Sequence, residues 1–138
     1  MPEEQEEHFH PVHVLITEDF FLGKVGAAAR ALERNPMVPT WDEDVMEQVV
    51  CLPEAEMVLD LELEGLDVLS FLRQLRADAR TQGMAVLGYS SHNLTELIEQ
   101  AQGLGVQVVV RSSFAANLVR LMQDLFRTPG DPAQDSDE

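Results

Sequence analysis

The chain is poor in positive charge, in cysteine and in long apolar runs, and each shortage narrows what it can be. Nine Lys and Arg stand against 25 Asp and Glu in 138 residues, a formal charge of -16. Phosphate backbones and anionic lipid surfaces repel such a chain, which argues against direct DNA or RNA binding and favours a basic protein partner. Its one cysteine, Cys51, has no intramolecular partner. Set among Val49, Val50 and Leu52, it reads as a packed thiol rather than a redox group. No apolar stretch reaches the roughly 18 to 20 residues that span a bilayer. The N-terminus, Met1-Pro2-Glu3-Glu4-Gln5-Glu6-Glu7, is acidic where a signal peptide starts basic. The expectation is a cytoplasmic protein.

What charge there is lies unevenly. Residues 1–10 carry four Glu, and residues 128–138 carry Asp131, Asp135, Asp137 and Glu138, with no Lys or Arg in either stretch. These eight acids account for half of the net charge, and both ends read as solvated, disordered acidic arms. Between them, an apolar content of 45% suits one domain at residues 11–127, large enough to bury a core without staples.

Within that body, strand and helix patterns alternate. The run Val14-Leu15-Ile16-Thr17 reads as a first strand, followed by a helix with Val25, Ala28, Ala29 and Leu32 on one face, running to about Arg34 and stopping at Asn35-Pro36. Met37-Val38-Pro39 is a short second strand whose proline confines it to a sheet edge. Thr40-Trp41-Asp42-Glu43 has capping-box spacing and opens a helix through Met46, Val49 and Val50. A third strand at 56–60, a helix near 66–78, a fourth strand Met84–Gly88 and a helix carrying Leu94, Leu97, Ile98 and Ala101 follow. Val106–Val110 is a fifth strand, and Leu118, Leu121, Met122 and Leu125 mark a last amphipathic helix. Five strands alternating with five helices predict an α/β fold, a mainly parallel, doubly wound sheet covered on both faces.

Two of the strands end in acid. Glu18-Asp19 closes the first, and Asp60 closes the apolar run Met57-Val58-Leu59 of the third. Ligands of open parallel sheets bind beyond the carboxyl ends of the strands, and carboxylates gathered there can hold a hard cation such as Mg2+.

In element order and in these strand-end residues the chain resembles the receiver domain of two-component response regulators. The resemblance covers nearly the whole body and implies a flavodoxin-like fold with strand order 2-1-3-4-5. It implies that Glu18 and Asp19 are the acidic pair that binds Mg2+, and that Asp60 is the phosphoacceptor. Ser90, with Ser91 as the alternative, takes the place of the hydroxyl that bonds the phosphoryl group. Gly65 and Asp67 fit the loop after the acceptor, whereas Glu64 stands where a proline is usual and Val68 where a glycine is usual. The family's lysine after the fifth strand is missing, since the only lysine, Lys24, lies on the first helix. In Val110-Arg111-Ser112-Ser113-Phe114, alignment on charge puts Arg111 at that position and alignment on the aromatic puts Ser112 there. The fifth strand also lacks the family's aromatic, having valines at 108 to 110.

Phosphoryl transfer to a carboxylate rests on positioning and electrostatics. Glu18, Asp19, Asp60 and the backbone carbonyl of Glu62 suit the metal half of such a site. For the phosphate half, the planar guanidinium of Arg111 does not reproduce a lysine ammonium, and held permanently against Asp60 it would occupy the place where metal and phosphate meet. Three functions follow. One is a stand-alone receiver phosphorylated on Asp60 by a sensor kinase, with output through a protein partner or a homodimer pairing the last two helices and fifth strand, where Arg120, Arg127, Glu96 and Glu99 supply charge. Another is a pseudo-receiver adaptor that only binds. The third is a small Mg2+-dependent phosphohydrolase with Asp60 as nucleophile and Glu62 as a rough second acid. His8, His10 and His13 have metal-like spacing but no evident fourth ligand, and His92 reads as an ordinary loop histidine.

Overall fold

The computed structural model describes residues 9–127. Of the acidic arms expected at 1–10 and 128–138, all but residues 9 and 10 lie outside the described residues, and His10, expected in the arm, is the first residue of a strand. The elements in chain order are β1 (His10–Leu15), α1 (Asp19–Ala31), β2 (Arg34–Met37), α2 (Val45–Val50), β3 (Glu56–Asp60), α3 (Val68–Ala77), β4 (Val86–Ser90), α4 (Thr95–Gly103), β5 (Gln107–Val110), α5 (Arg111–Ala116) and α6 (Leu118–Leu125). The strands form one parallel sheet of order β2-β1-β3-β4-β5. Because parallel strands are covered on both faces, their sequences read as near-continuous apolar runs, and Met57, Val58 and Leu59 of β3 are all fully buried.

Each face has its own core. On one, Val12, Val14, Val58 and Leu87 pack against Val25 and Ala29 of α1 and Leu121 and Met122 of α6. On the other, Leu15, Met57, Leu59 and Val86 meet Val49 of α2, Phe71, Leu72 and Leu75 of α3, and Ala101 of α4. A fully buried leucine such as Leu72 stabilises the fold by about 1.5–3 kcal/mol relative to exposure.

Strand β1 runs His10–Leu15, earlier than the expected Val14–Thr17, and further differences from expectation have local reasons. Helix α1 stops at Ala31, not near Arg34: the Leu32 amide caps the Ala28 and Ala29 carbonyls and Glu33 takes the left-handed conformation at φ 61°. Glycine usually signals this cap, and none is present. The edge strand β2 therefore starts at Arg34 and contains Pro36 rather than Pro39. Helix α2 is capped by Asp44, whose carboxylate accepts from the Glu47 amide, while Thr40 is held through its backbone by Gln48. Strand β4 lies two residues later than expected, because Gly88 marks a close approach and not a strand end. A Cβ there would sit 3.1 Å from the Leu61 and Val106 side chains. Finally, Arg111–Ala116 is a short extra helix following β5 directly, anchored by the buried Phe114.

At the amino ends of the strands, Arg76 of α3 acts as a clamp. Its guanidinium donates to the carbonyls of Leu104 (2.7 Å), Gln82 (3.0 Å), Met84 (2.7 Å) and Gly105 (3.3 Å), joining the loops that lead into β4 and β5. Gly105, at φ 82°, makes this approach without a Cβ that would press on the guanidinium.

Candidate functional site

The parallel register pairs Asp60 with Tyr89 and Ser90 with Val110, so the residues ending β3, β4 and β5 converge at one end of the sheet, beside the loop that follows β1. Asp60 is buried there, 6% exposed. Its Oδ1 accepts from the Glu62 amide at 2.9 Å, a local Asx bond that fixes the start of the β3–α3 loop. Burial raises its pKa, and repulsion from Glu62 and Glu18 adds to this, while the Glu62 amide and the attraction of Arg111 offset part of the rise.

Arg111, the first residue of α5, reaches across the sheet end. Its Nη1 donates to Glu18 Oε1 at 2.8 Å and its Nη2 to Glu62 Oε2 at 3.4 Å. The same Glu62 oxygen accepts from the Ser91 amide (2.7 Å) and hydroxyl (2.9 Å). One guanidinium and one carboxylate thus join the segments following β1, β3, β4 and β5. Burial pushes the Glu62 carboxyl up, but Ser91 and Arg111 together outweigh it and hold the group below its usual range. Burial likewise works against the Arg111 charge, and the Glu18 and Glu62 carboxylates more than restore it.

Beneath the guanidinium lies an aromatic floor. Arg111 sits 5.6 Å from the ring centre of Phe21 and 5.4 Å from that of Tyr89, within cation–π range. Tyr89 stacks on Phe114 at 4.3 Å and leans on Phe21 at 4.9 Å. Its hydroxyl is buried without a hydrogen-bond partner, and burial, reinforced by the nearby Asp60 charge, drives its pKa well up.

The expected site residues separate into two groups. Asp60, Glu18, Glu62 and Arg111 come together, and Arg111 rather than the exposed Ser112 supplies the cation. Arg111 bonds Glu18 and Glu62, with Asp60 at longer electrostatic range. Asp19 is exposed. Ser90 is the last residue of β4, fully buried, and its hydroxyl bonds the Ser91 carbonyl at 3.1 Å, whereas Ser91, the alternative, enters the network. The Glu62 side chain, expected only to lend its carbonyl, is the hub. Asp67 caps α3 by accepting from the Ser70 amide at 3.1 Å.

The expected ion, Mg2+, needs several free oxygen ligands. Among the described residues no three His, Cys, Asp or Glu side chains are placed to hold a metal, and Glu18 and Glu62 are turned to Arg111. As arranged, these donors do not fit the ion. His13 is buried, with its ring bonded to the Leu52 carbonyl at 3.0 Å and its pKa lowered by burial. Cys51 is exposed rather than packed, its thiol on the Glu47 carbonyl at 3.3 Å, because α2 turns it outward from Val49.

No protein-family model matches the sequence, and no curated protein matches it. Solved structures match by shape. The chemotaxis response regulator CheY4 of Vibrio cholerae superposes with a TM-score of 0.72 at 9% identity, over 86% of this chain and 99% of that one. The receiver domain of the sensor histidine kinase PA1611 from Pseudomonas aeruginosa PAO1, solved with magnesium in its active site cleft, gives 0.65 at 17% identity, over 85% and 97%. NtrX from Brucella abortus gives 0.73 at 17% identity, over 94% of this chain and 29% of that one. Strand order, helix placement and these superpositions agree that the chain has the flavodoxin-like fold of response-regulator receiver domains.

Proposed function

We propose that this chain is a cytoplasmic, receiver-fold signalling protein that works by binding other proteins, with Arg111 serving as a built-in cation in place of a metal and phosphoryl cycle. The observation that carries this reading is the guanidinium bridging Glu18 and Glu62. A divalent ion would have to displace it from both carboxylates, and an incoming phosphoryl group would meet Glu18, Asp60 and Glu62 with one positive charge among them. The net charge of the described residues, nine cations against 17 acids, fits a protein partner better than a nucleic acid. No described helix is long and apolar enough to cross a membrane.

A phosphorylatable receiver is the second reading, favoured by Asp60 itself, a buried carboxylate at the carboxyl end of β3 in a fold whose PA1611 example holds magnesium. It requires Arg111 to leave Glu62 and turn to the phosphoryl oxygens. A phosphohydrolase would need Glu62 free as a second acid, and that carboxylate is engaged by Ser91 and Arg111. Homodimer pairing through α4, β5 and α6 has weaker support, because Arg127 is paired with Asp124 and Arg120 lines a groove beside α1.

Intact-mass measurement after incubation with Mg2+ and a small acyl phosphate separates the readings. The adaptor predicts no gain in the wild type. A gain of one phosphoryl group that disappears in Asp60→Asn establishes the receiver cycle and overturns the adaptor.

A further inference from the structure

We infer that the open groove between α1 and the α5–α6 segment docks an amphipathic helix of a partner protein, one whose apolar face is bordered by Asp or Glu on both sides. The inference rests on the adaptor reading in that it supplies the surface such a protein would use.

The groove holds about 630 Å3 and is lined by Lys24, Ala27 and Ala31 of α1, Ala115 of α5, and Val119 and Arg120 of α6. Its lining is apolar although much of it faces solvent: Ala27, Ala31 and Ala115 are exposed, and Val119 is 48% exposed. One turn before Lys24, Phe20 is 56% exposed and extends the apolar surface of α1. A solvent-facing helix surface ordinarily carries charge, and contiguous exposed apolar surface marks a binding site.

The charges name the occupant. In a chain of net charge -16 most cations bond a carboxylate or carbonyl. Arg34, Arg80, Arg111 and Arg127 are in ion pairs, and Arg76 is spent on carbonyls. Lys24, Arg73 and Arg120 make no ion pair among the described residues, and two of these three stand on opposite banks of this one groove. Lys24 does no more than lie 5.4 Å from the Phe20 ring centre. A basic residue on each bank with an apolar floor between them matches a helix that presents an apolar ridge flanked by acids. An extended segment alternates its side chains between two faces and cannot meet both banks while filling the floor. The alanines keep the floor low enough for a helix to settle its side chains into it.

The test uses the full-length chain, isotope-labelled for NMR, and two designed helical peptides with the same leucine face, one flanked by glutamates and one by lysines. The glutamate peptide should bind saturably, with amide shifts centred on Ala27, Ala31, Ala115 and Val119, and the lysine peptide should not bind. Lys24→Glu with Arg120→Glu should weaken binding by at least about tenfold, and added salt should weaken it in the wild type. Ala27→Trp, at an exposed position, should block the groove with the protein's own spectrum otherwise intact. Absence of saturable binding at millimolar peptide overturns the inference, as do shifts centred elsewhere or an affinity indifferent to the charge reversal. Concentration-dependent self-association that perturbs the same residues overturns it in favour of a second copy. Tighter peptide binding once the acids of residues 128–138 are neutralised overturns it in favour of this chain's own segment as the occupant. Phosphorylation of Asp60 together with peptide binding in the groove would sink the adaptor reading alone; an unphosphorylated chain that ignores the peptide would sink only the groove.

Discussion

Replacing Arg111 with alanine removes the one cation that Glu18, Asp60 and Glu62 share. The loss can be worked from the geometry. Two ion pairs disappear, at 2.8 and 3.4 Å, between side chains 29% to 46% exposed, so each contributes no more than about 0.2–1 kcal/mol. The guanidinium over Phe21 and Tyr89, 5.4 to 5.6 Å from the ring centres, adds roughly 0.5 kcal/mol. The expected cost at neutral pH is about 1–2.5 kcal/mol, measured by urea denaturation followed by circular dichroism. The pH dependence has a defined sign. Glu62 is held below its ordinary value of 4.5, so its pairing stabilises the fold above that pH and is lost as pH falls through the lowered value. The gap between wild type and variant should therefore be widest near neutrality and narrow in acid. A second readout concerns metal. With the guanidinium gone, Glu18 and Glu62 are free to join Asp60 around an ion, and calorimetric titration with Mg2+ or Mn2+ should detect binding that the wild type lacks. A variant as stable as wild type at pH 7, or a wild type that binds Mg2+ as tightly as the variant, would refute the role given to Arg111.

Other consequences are equally open to measurement. Asp60→Asn keeps an oxygen for the Glu62 amide and removes a charge whose pKa burial has raised. A raised carboxyl contributes stability below its ordinary value of 3.8 that is lost as pH rises, so the variant should melt higher than wild type at pH 7 and lose that advantage in acid. Tyr89→Phe deletes a buried hydroxyl with no partner and should be neutral or stabilising by up to about 1 kcal/mol in urea denaturation. Phe114→Ala, which empties the stack on Tyr89, should cost about 3–5 kcal/mol by the same assay. Arg76→Met strands the carbonyls of two loops and should cost about 2–4 kcal/mol.

The alternation of strands and helices was legible in the sequence because parallel strands buried on both faces leave unbroken apolar runs, and the helices between them keep one apolar face. The third strand was bounded correctly at residues 56–60. Boundaries were misread where the punctuating residue was unusual: Glu33 in place of a capping glycine, and Gly88 inside a strand. Within the site, the acids at strand ends were visible because local order puts them there. The hub function of Glu62 was not, since its bonds to Ser91 and Arg111 join residues 29 and 49 positions away, and such pairings follow from sheet register rather than from local spacing. Tyr89 and Phe114 were hidden for the same reason: their stacking requires β4 and an unanticipated helix to meet under Arg111.

The Arg76 clamp gives the molecule two unlike ends. At the amino ends of the strands, four carbonyls from two loops share one half-buried guanidinium. At the carboxyl ends, the segments are tied by half-exposed ion pairs that salt and acid weaken. Amide hydrogen exchange should accordingly show a gradient along the sheet, with slow opening around Met84 and Leu104 and fast opening around Ser91 and Arg111. A protein built this way can remodel its acidic end by local opening without disturbing the base that holds β4 and β5 in place.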